Sequence, residues 1–357
     1  MLDPQGAEKL INAHLACLPI ESLPVGQCAG AVLRENVYAE RDQPPFDRVT
    51  MDGVALASSA AARGRRRFTV QATQAAGDVP VVLASGDNCI EVMTGAVLPT
   101  GCDAVVPVEA LRSAHGQVEL ADGIAPVAWG NVHRRASDRS QGALLLAAGS
   151  VLRAPEIAVA ASAGMARVRV SSQPAIAVIS TGNELVEPGD PIEPYQIRRS
   201  NAYAVAAALR QRGFHRVADD HVPDDATHLH ERLRLHLNTH EVMILSGGVS
   251  MGRFDLVPKA LEEIGVHCVL HGIAQRPGKP MWYGTSSNGH SVFALPGNPV
   301  STLVCLARYV IPALYRAMGV PEAPGERVAL AAAINWSPAL TGFVPVRIAH
   351  DDWARPW

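Results

Sequence analysis

Several common signals of function are absent from this 357-residue sequence. The six cysteines are scattered, and none stands in a C-x-x-C or similar zinc-ligand spacing, which excludes the common zinc-ribbon and thioredoxin-like motifs. The net charge is −3 at pH 7, so no basic field would attract nucleic acid or an anionic membrane surface. The most apolar long run, at 301–320, contains Arg308 and Arg316, and the polar N-terminus has no signal-peptide core. We therefore expect a cytoplasmic protein that binds neither nucleic acid nor membrane.

Two familiar nucleotide-binding motifs and a zinc motif are also missing. Gly247 and Gly252 have the spacing of a P-loop, but Arg253 follows where that motif needs lysine. No G-x-G-x-x-G follows a predicted strand, so a nicotinamide-binding fold has no support. His236 and His240 stand four residues apart, as in helical zinc sites, but without the glutamate of an H-E-x-x-H motif. We interpret these histidines as part of a solvated helix face.

The second half of the chain alternates between two periodicities. From residue 174 onwards, short apolar runs typical of strands alternate with segments of helical periodicity, whereas residues 67–120 contain short strand-like runs between turns. Ser200 and Asp255 are predicted helix caps, and Asn298 is predicted to cap a helix with Pro299 at its first position. The alternation predicts a multidomain α/β protein with a largely parallel sheet, in which ligands bind at the carboxyl ends of the strands.

Glycine-rich loops follow three of the predicted strands. They read STGNE at 180–184, SGGVSMG at 246–252 and LPGNP at 295–299. Glycine lets the backbone approach a ligand closely, and the helix that follows such a loop offers unpaired N–H groups to an anion. The turn RPGKP adds Arg276 and Lys279, two cations suited to phosphate, although a solvated turn is the alternative. The pattern predicts an anion site at one edge of the sheet.

Carboxylates accompany these loops. Glu184 ends the first loop, Asp255 follows the second, Asp224 precedes a predicted helix at the same edge, and Asp52 stands in TMDG. Any one of them alone is more simply a helix cap or a surface charge. Together they indicate a divalent cation such as Mg²⁺, because carboxylates repel a neighbouring phosphate unless a cation lies between them.

The ordered set of motifs resembles a known family. The segments are PPFDRVTMDGVA, VMTGAVLPTGCDAVVPVE, ISTGNELVEPGDPIEPYQIRRSN, LSGGVSMGRFD, RPGKP and ALPGNPVST. In this order they resemble the molybdopterin molybdenumtransferases, the MoeA and gephyrin E-domain family, over about residues 5 to 320. The resemblance implies a transferase of molybdenum cofactor biosynthesis. It would insert molybdate into adenylylated molybdopterin with release of AMP, and would require Mg²⁺.

The resemblance also implies roles for individual residues. The implied catalytic residues are Asp52, Thr94, Glu184, Asp224 and Asp255, and the implied metal ligands are Glu184, Asp224 and Asp255. The implied substrate-binding residues are Ser180, Thr181, Gly182, Ser246, Gly247, Gly248, Ser250, Gly252, Arg276, Lys279, Pro296, Gly297, Asn298 and Pro299.

The family architecture gives further expectations. We expect an elongated chain with a mixed dimerisation domain at 1–45 and 139–170, a β-rich small domain at 46–138, a three-layer α/β molybdopterin-binding domain at 171–322, and an incomplete, truncated C-terminal β domain at 323–357. We expect a homodimer whose site joins the β-rich domain of one subunit to the α/β domain of the other. The implied partners are a molybdopterin adenylyltransferase and apo-molybdoenzymes or their chaperones.

Departures from the family pattern keep two alternatives open. Val54 stands where members often have tyrosine, Gly272 stands where many have lysine, and the segment after the last long helix is short. These departures favour a carrier or scaffold that binds molybdopterin without turnover. A molybdopterin adenylyltransferase is the third reading, but that family lacks the TMDG and MTGA segments of the first half.

Overall fold

A computed structural model describes residues 1–249, 256–322, 325, 327–335 and 339–348, together with the backbone of 353–356. The chain forms two compact units. The first, here called the α/β unit, comprises Met1–Glu35, Ala148–Ile157 and Ala166–Trp357. The second, here called the β unit, comprises Asn36–Ala147 and Ala158–Met165. The finer division into four regions stays a prediction.

The helices of the described residues lie mostly in the α/β unit. The α-helices are α1 Pro4–His14, α2 Ser58–Ala62, α3 Ala154–Ser162, α4 Ser200–Arg210, α5 Ala226–Thr239, α6 Leu256–Glu263, α7 Pro299–Cys305 and α8 Ile311–Ala317. Short 3₁₀ turns lie at Val25–Gln27 and Val108–Ala110, and a π-helical segment lies at Leu306–Val310.

The strands of the described residues are mostly short. They are β1 Ile20–Pro24, β2 Val37–Tyr38, β3 Arg48–Val49, β4 Gly53–Leu56, β5 Arg67–Gln74, β6 Asn88–Val92, β7 Ala104–Pro107, β8 Leu111–Ala114, β9 Gln117–Leu120, β10 Val132–His133, β11 Leu144–Leu146, β12 Arg167–Ser171, β13 Ile176–Thr181, β14 Leu185–Val186, β15 Ile197–Arg198, β16 Val217–Val222, β17 Val242–Ser246, β18 Val266–His271, β19 Gln275–Arg276, β20 Trp282–Ser286, β21 Ser291–Leu295, β22 Ala329–Leu330, β23 Thr341–Gly342, β24 Val346–Ile348 and β25 Trp353–Pro356.

A six-stranded sheet organises the α/β unit, with the strand order β16-β13-β17-β21-β20-β18. The first four strands are parallel, while β20 pairs antiparallel with both β21 and β18. In this register Ser180 pairs with Ser246, which pairs with Leu295. The strands that precede the three glycine loops therefore end on one level of the sheet. The last strand, β18, runs in the same direction as β21, so the turn after His271 leaves from that same edge.

Alternating side chains of this sheet enter two cores. On one face, Val178, Ile244 and Phe293 join a buried cluster with side chains of α1, α4 and α8. On the other face, Ile179 and Leu245 pack with side chains of α5 and α6. Because a strand directs successive side chains to opposite faces, a fully apolar strand needs helices on both sides. The predicted three-layer α/β fold is confirmed.

A side-chain cap explains the start of some helices, among them α7. Asn298 caps α7, since its Oδ1 accepts from the N–H groups of Val300 at 3.1 Å and Ser301 at 3.2 Å, and Pro299 is the first helical residue as predicted. The predicted cap at Ser200 is wrong, because Ser200 is already helical and Arg199 occupies the preceding position. The predicted cap at Asp255 lies outside the described residues.

The β unit contains its own six-stranded mixed sheet, with the strand order β7-β4-β6-β5-β9-β8. Two buried clusters cover its faces, one around Val54 and Phe68 and the other around Ala55 and Ile90. Val54 is only 3% exposed, so the valine that replaces the family tyrosine is a core residue here.

The helical run Pro299–Ala317 has the length and apolar composition that could cross a bilayer, but 56% of the relevant window is buried inside the protein. The π-helical segment in this run precedes Pro312, whose ring lacks an N–H and would clash with the carbonyl four residues back in a regular α-helix. Helices in protein cores pass the same test of length and composition, so the run is weak evidence for a membrane span.

Candidate functional site

The glycine loops of the α/β unit meet at the carboxyl edge of the sheet. A Cβ atom placed on Gly247 would lie 2.8 Å from the carbonyl oxygen of Thr181, and one on Gly248 would lie 2.8 Å from Cγ2 of Val257. A Cβ on Gly297 would lie 3.6 Å from the Cα of Gly247. Gly247 has φ +102° and Gly248 has φ +65°, which L-residues rarely adopt. Both the close approach and the backbone conformation therefore require the two glycines.

The hydroxyl group of Thr181 lies at the bottom of these loops. Thr181 is 4% exposed, and its Oγ1 has no hydrogen-bond partner among the described residues. The same oxygen lies 3.1 Å from where a Cβ of Gly247 or Gly248 would stand. Buried hydroxyls are normally paired, because leaving one unpaired costs about 1–3 kcal/mol. An unsatisfied hydroxyl under two bare glycines marks a place where a ligand atom or water can bind.

The first loop carries the predicted carboxylate Glu184 and contacts a second carboxylate. The N–H of Asn183 donates to Oδ2 of Asp224 at 3.4 Å, and the N–H of Asp224 donates to Oδ1 of Asn183 at 3.1 Å. His221 contacts the same loop through Nε2, which lies 3.0 Å from the carbonyl oxygen of Gly182. Asn183, Glu184 and Asp224 are exposed, so the structure brings two of the predicted metal ligands to adjoining loops that solvent can reach.

A buried arginine that the motif analysis did not select supports the first loop. Arg199 is 4% exposed, and its Nε donates to Oγ of Ser180 at 3.1 Å. Its two terminal nitrogens form ion pairs with Glu187 and Asp219. Hydrogen bonds from Arg199 and Tyr203 hold the pKa of Glu187 below its ordinary value. The predicted substrate residue Ser180 is thus engaged from within the protein.

Asn201 connects the second and third loops. Its Nδ2 donates to Oγ of Ser246 at 3.0 Å and to the carbonyl oxygen of Gly297 at 2.8 Å. The predicted turn residue Pro296 is held by Thr302, whose Oγ1 donates to the Pro296 carbonyl at 2.6 Å. The segment RRSN was visible in the sequence, but nothing in it showed which distant loops these side chains would reach.

The basic turn leaves the same edge of the sheet. Arg276 and Lys279 are exposed, and the turn packs against α7, since a Cβ on Gly278 would lie 2.6 Å from Sγ of Cys305. Gly272 has φ +84°, and its N–H donates to the Met281 carbonyl at 2.8 Å. A lysine at position 272 would be strained in this backbone conformation. The glycine that replaces the family lysine at position 272 therefore suits the backbone conformation of this turn.

In the β unit, the structure brings Asp52 and Thr94 together. Oδ1 of Asp52 accepts hydrogen bonds from the N–H and from Oγ1 of Thr94, each at 2.7 Å. These two bonds hold the pKa of Asp52 below its ordinary value, so the carboxylate stays ionised at neutral pH. The next position requires glycine, because a Cβ atom on Gly53 would overlap the carbonyl oxygen of Val106. The TMDG turn thus presents an exposed carboxylate in a fixed orientation.

The histidine interpretation needs a correction. His236 is not on a solvated face, because it is 6% exposed and its Nε2 lies 2.7 Å from Oδ2 of Asp220. Arg232 donates to the same oxygen at 2.6 Å. Burial alone would raise the pKa of Asp220, but the hydrogen bonds from His236 and Arg232 outweigh it and lower that pKa. In the described residues, His236 and Arg232 therefore join Asp220 in a partly buried polar network.

Three of the predicted site residues, one of them a predicted metal ligand, lie outside the part of the chain that the structure describes. They are Ser250, Gly252 and Asp255. Within the part of the chain that the structure describes, no three His, Cys, Asp or Glu side chains cluster closely enough to form a metal site. Two exposed carboxylates on adjoining loops do fit Mg²⁺, which usually takes one or two carboxylates and completes its shell with water and substrate phosphate.

Family models match both halves of the chain. A family model of the MoeA N-terminal region, domains I and II, matches residues 2–164, and one described as a probable molybdopterin binding domain matches residues 177–316. A molybdopterin molybdenumtransferase of Synechocystis is 38% identical, with 98% of this chain and 87% of that protein covered. Molybdopterin molybdenumtransferase 2 of Mycobacterium tuberculosis is 33% identical, with 86% and 77% covered.

A solved structure supports the same conclusion for the fold. The molybdopterin biosynthesis MoeA protein of Pyrococcus horikoshii superposes with a TM-score of 0.81 at 29% identity, covering 100% of this chain and 90% of that one. The relatives span both units, and the family models coincide with the segments that carry the TMDG turn and the glycine loops. The chain belongs to the molybdopterin molybdenumtransferase family.

Proposed function

We propose that this protein inserts molybdate into adenylylated molybdopterin, with release of AMP and a requirement for Mg²⁺. The observation that carries the proposal is the seat formed by the glycine loops, where a buried Thr181 hydroxyl with no hydrogen-bond partner among the described residues lies beneath Gly247 and Gly248. A substrate with phosphate groups suits a seat of bare backbone and helix N-termini. Molybdate is itself a tetrahedral oxyanion and would bind to the same kind of hydrogen-bond donors.

Different groups around the seat would make different contacts with the substrate. Backbone N–H groups of the loops would donate to the substrate phosphates, and Thr181 would add one hydroxyl. Arg276 and Lys279, which are exposed at the same edge of the sheet, would neutralise remaining negative charge. The LPGNP turn, held by Asn298 and Thr302, would shape the wall of the seat.

The acidic residues would handle the cation. Glu184 and Asp224, with Asp255 as the third predicted ligand, would bind Mg²⁺ and so keep their own charge from repelling the substrate. When bound, the ion screens the negative charge that builds up on phosphate and molybdate oxygens. The chain's own part would be to hold these carboxylates in place, and the reciprocal bonds between Asn183 and Asp224 do so for Asp224.

Asp52 and Thr94 would act on the substrate from the β unit of a second copy of the chain, in a homodimer formed through 1–45 and 139–170. The bonds from Thr94 fix the carboxylate of Asp52 and keep it ionised. We propose that the enzyme works in the cytoplasm, receives substrate from a molybdopterin adenylyltransferase and passes its product to apo-molybdoenzymes or their chaperones. A monomeric mass at micromolar concentration, measured by light scattering, would refute the dimer.

The decisive experiment measures AMP release from adenylylated molybdopterin. The reaction is run with and without molybdate and Mg²⁺, and the product is scored by reconstituting an apo-molybdoenzyme. AMP release and active cofactor that depend on both ions support the transferase. Tight molybdopterin binding without AMP release would instead identify a carrier or scaffold. ATP-dependent formation of the adenylylated substrate by the purified chain would identify an adenylyltransferase.

A further inference from the structure

We infer that residues 199–201, here called the clamp segment, position the three glycine loops for substrate binding, with Asn201 as the decisive residue. The inference rests on the proposed function, and it adds two residues that the motif analysis did not select. The segment precedes and begins α4, a helix of eleven residues whose first residue is Ser200. Arg199 contacts the strand before the first loop, while Asn201 contacts the second and third loops.

The contacts of Asn201 use the chemistry of its amide fully. The Nδ2 group has two hydrogens, and it donates one to Oγ of Ser246 at 3.0 Å and one to the Gly297 carbonyl at 2.8 Å. These acceptors stand at the carboxyl ends of β17 and β21, which are neighbouring strands. Because the strand ladder ends at Leu295, the amide supplies a link between the two loop tips beyond the sheet. On this inference, the spacing between Ser246 and Gly297 sets the width of the anion seat.

Arg199 provides the corresponding link for the first loop. Its guanidinium binds Ser180 before the loop, Glu187 after it, and Asp219 on the neighbouring strand β16. It also donates to the carbonyl oxygen of Asp220 at 2.8 Å. A planar group with five fixed donors can hold both ends of one loop, whereas a lysine offers a single nitrogen. The clamp segment therefore contacts all three glycine loops.

None of these side chains is expected to touch the reacting atoms, so we describe them as positioning residues. Their loss should leave the sheet and its two cores intact but allow the loop tips to separate. Misplacement of binding groups by about 1 Å can cost on the order of 100-fold in rate, even when the altered residue is remote from the chemistry. The effect should therefore appear in substrate binding and turnover before it appears in stability.

The test compares Asn201→Ala with Asn238→Ala, which removes an exposed asparagine from the last turn of α5, at the end of that helix away from the glycine loops. For each variant we would measure the Kd for molybdopterin by equilibrium binding, the kcat and KM of AMP release, and the Tm. We expect Asn201→Ala to raise both Kd and KM by about 10-fold or more, with a smaller fall in kcat and with the Tm of the control. Asn201→Asp should be at least as impaired, since a carboxylate cannot donate to the Gly297 carbonyl.

A second pair guards against simple unfolding. Arg199→Lys keeps the positive charge but cannot reach Ser180, Glu187 and Asp219 together, and Arg232→Gln removes an arginine that pairs with Asp220 in the same strand. Unchanged Kd and KM in Asn201→Ala and Arg199→Lys would overturn the inference. It would also be overturned if Arg232→Gln raised Kd and KM as much as Arg199→Lys does. If the wild type binds molybdopterin without releasing AMP, the transferase proposal fails. The Kd values of the variants still test whether the clamp segment positions the loops. If the wild type does not bind molybdopterin, both fail.

Discussion

Replacing Thr181 by valine should separate stability from activity. Valine has nearly the same shape, suits a strand and lacks only the hydroxyl. The hydroxyl of Thr181 is buried and unpaired among the described residues, so its removal relieves a desolvation cost of about 1–3 kcal/mol. We expect the free energy of unfolding to rise by about 1 kcal/mol, which corresponds to a Tm increase of about 2–4 °C in a domain of 150–250 residues.

The same change should lower activity. If the hydroxyl donates to a phosphate or molybdate oxygen, the lost bond to a charged group is worth about 1.5–3 kcal/mol, or about 10- to 100-fold in kcat/KM for AMP release. Urea unfolding and AMP release measured on the same preparation give both numbers. Thr302→Val is the matched control for stability, because Oγ1 of that buried threonine donates at 2.6 Å to the Pro296 carbonyl. That control should lose stability by about 1–2 kcal/mol.

Two results would refute the reasoning. A loss of stability in Thr181→Val, similar to that in Thr302→Val, would mean that the Thr181 hydroxyl is satisfied in the free protein by a tightly held water. Wild-type kcat/KM in a more stable Thr181→Val variant would mean that the hydroxyl is unpaired but does not meet the substrate. The seat would then have to be built from the backbone alone.

Three further changes test the rest of the site. Gly247→Ala should abolish most activity and lower the free energy of unfolding by about 1–3 kcal/mol, because Gly247 has φ +102° and a Cβ there would lie 2.8 Å from the Thr181 carbonyl oxygen. The control is Gly265→Ala, where φ is +87° but no atom lies near the added Cβ. In urea unfolding, this control should show only the cost of the backbone conformation. Asp220→Asn should lose about 2 kcal/mol at pH 7. Because the folded-state pKa of Asp220 is lowered, this deficit should shrink as pH falls through and below the ordinary value of 3.8 in acid-titrated unfolding. Asp52→Asn should reduce kcat/KM about 10-fold or more at every pH from 5 to 8, since Asp52 is already ionised there, and a deficit confined to one end of that range would contradict this account.

The local motifs predicted the glycine loops because the structural preference of each motif arises within a few neighbouring residues. A glycine with positive φ, or an asparagine followed by proline at a helix start, has the same cause wherever it occurs. The positions of Gly247, Gly248 and Asn298 could therefore be predicted from sequence, and the alternating strands placed them at one edge. The predicted cap at Ser200 was wrong because the chain there is fixed by a distant contact of its neighbour Arg199 and not by a local capping bond.

By itself, the sequence determined the family and the layered α/β fold, and it predicted the residues of the proposed anion seat, because periodicity and ordered motifs can be recognised without knowledge of three-dimensional contacts. Only the tertiary structure decided which side chains hold that set together. Asn201 reaches Gly297 across 96 positions of the chain, and His236 is buried because Asp220 of a neighbouring strand accepts from it. Such partners depend on strand order and register, and a single sequence does not display those as a pattern.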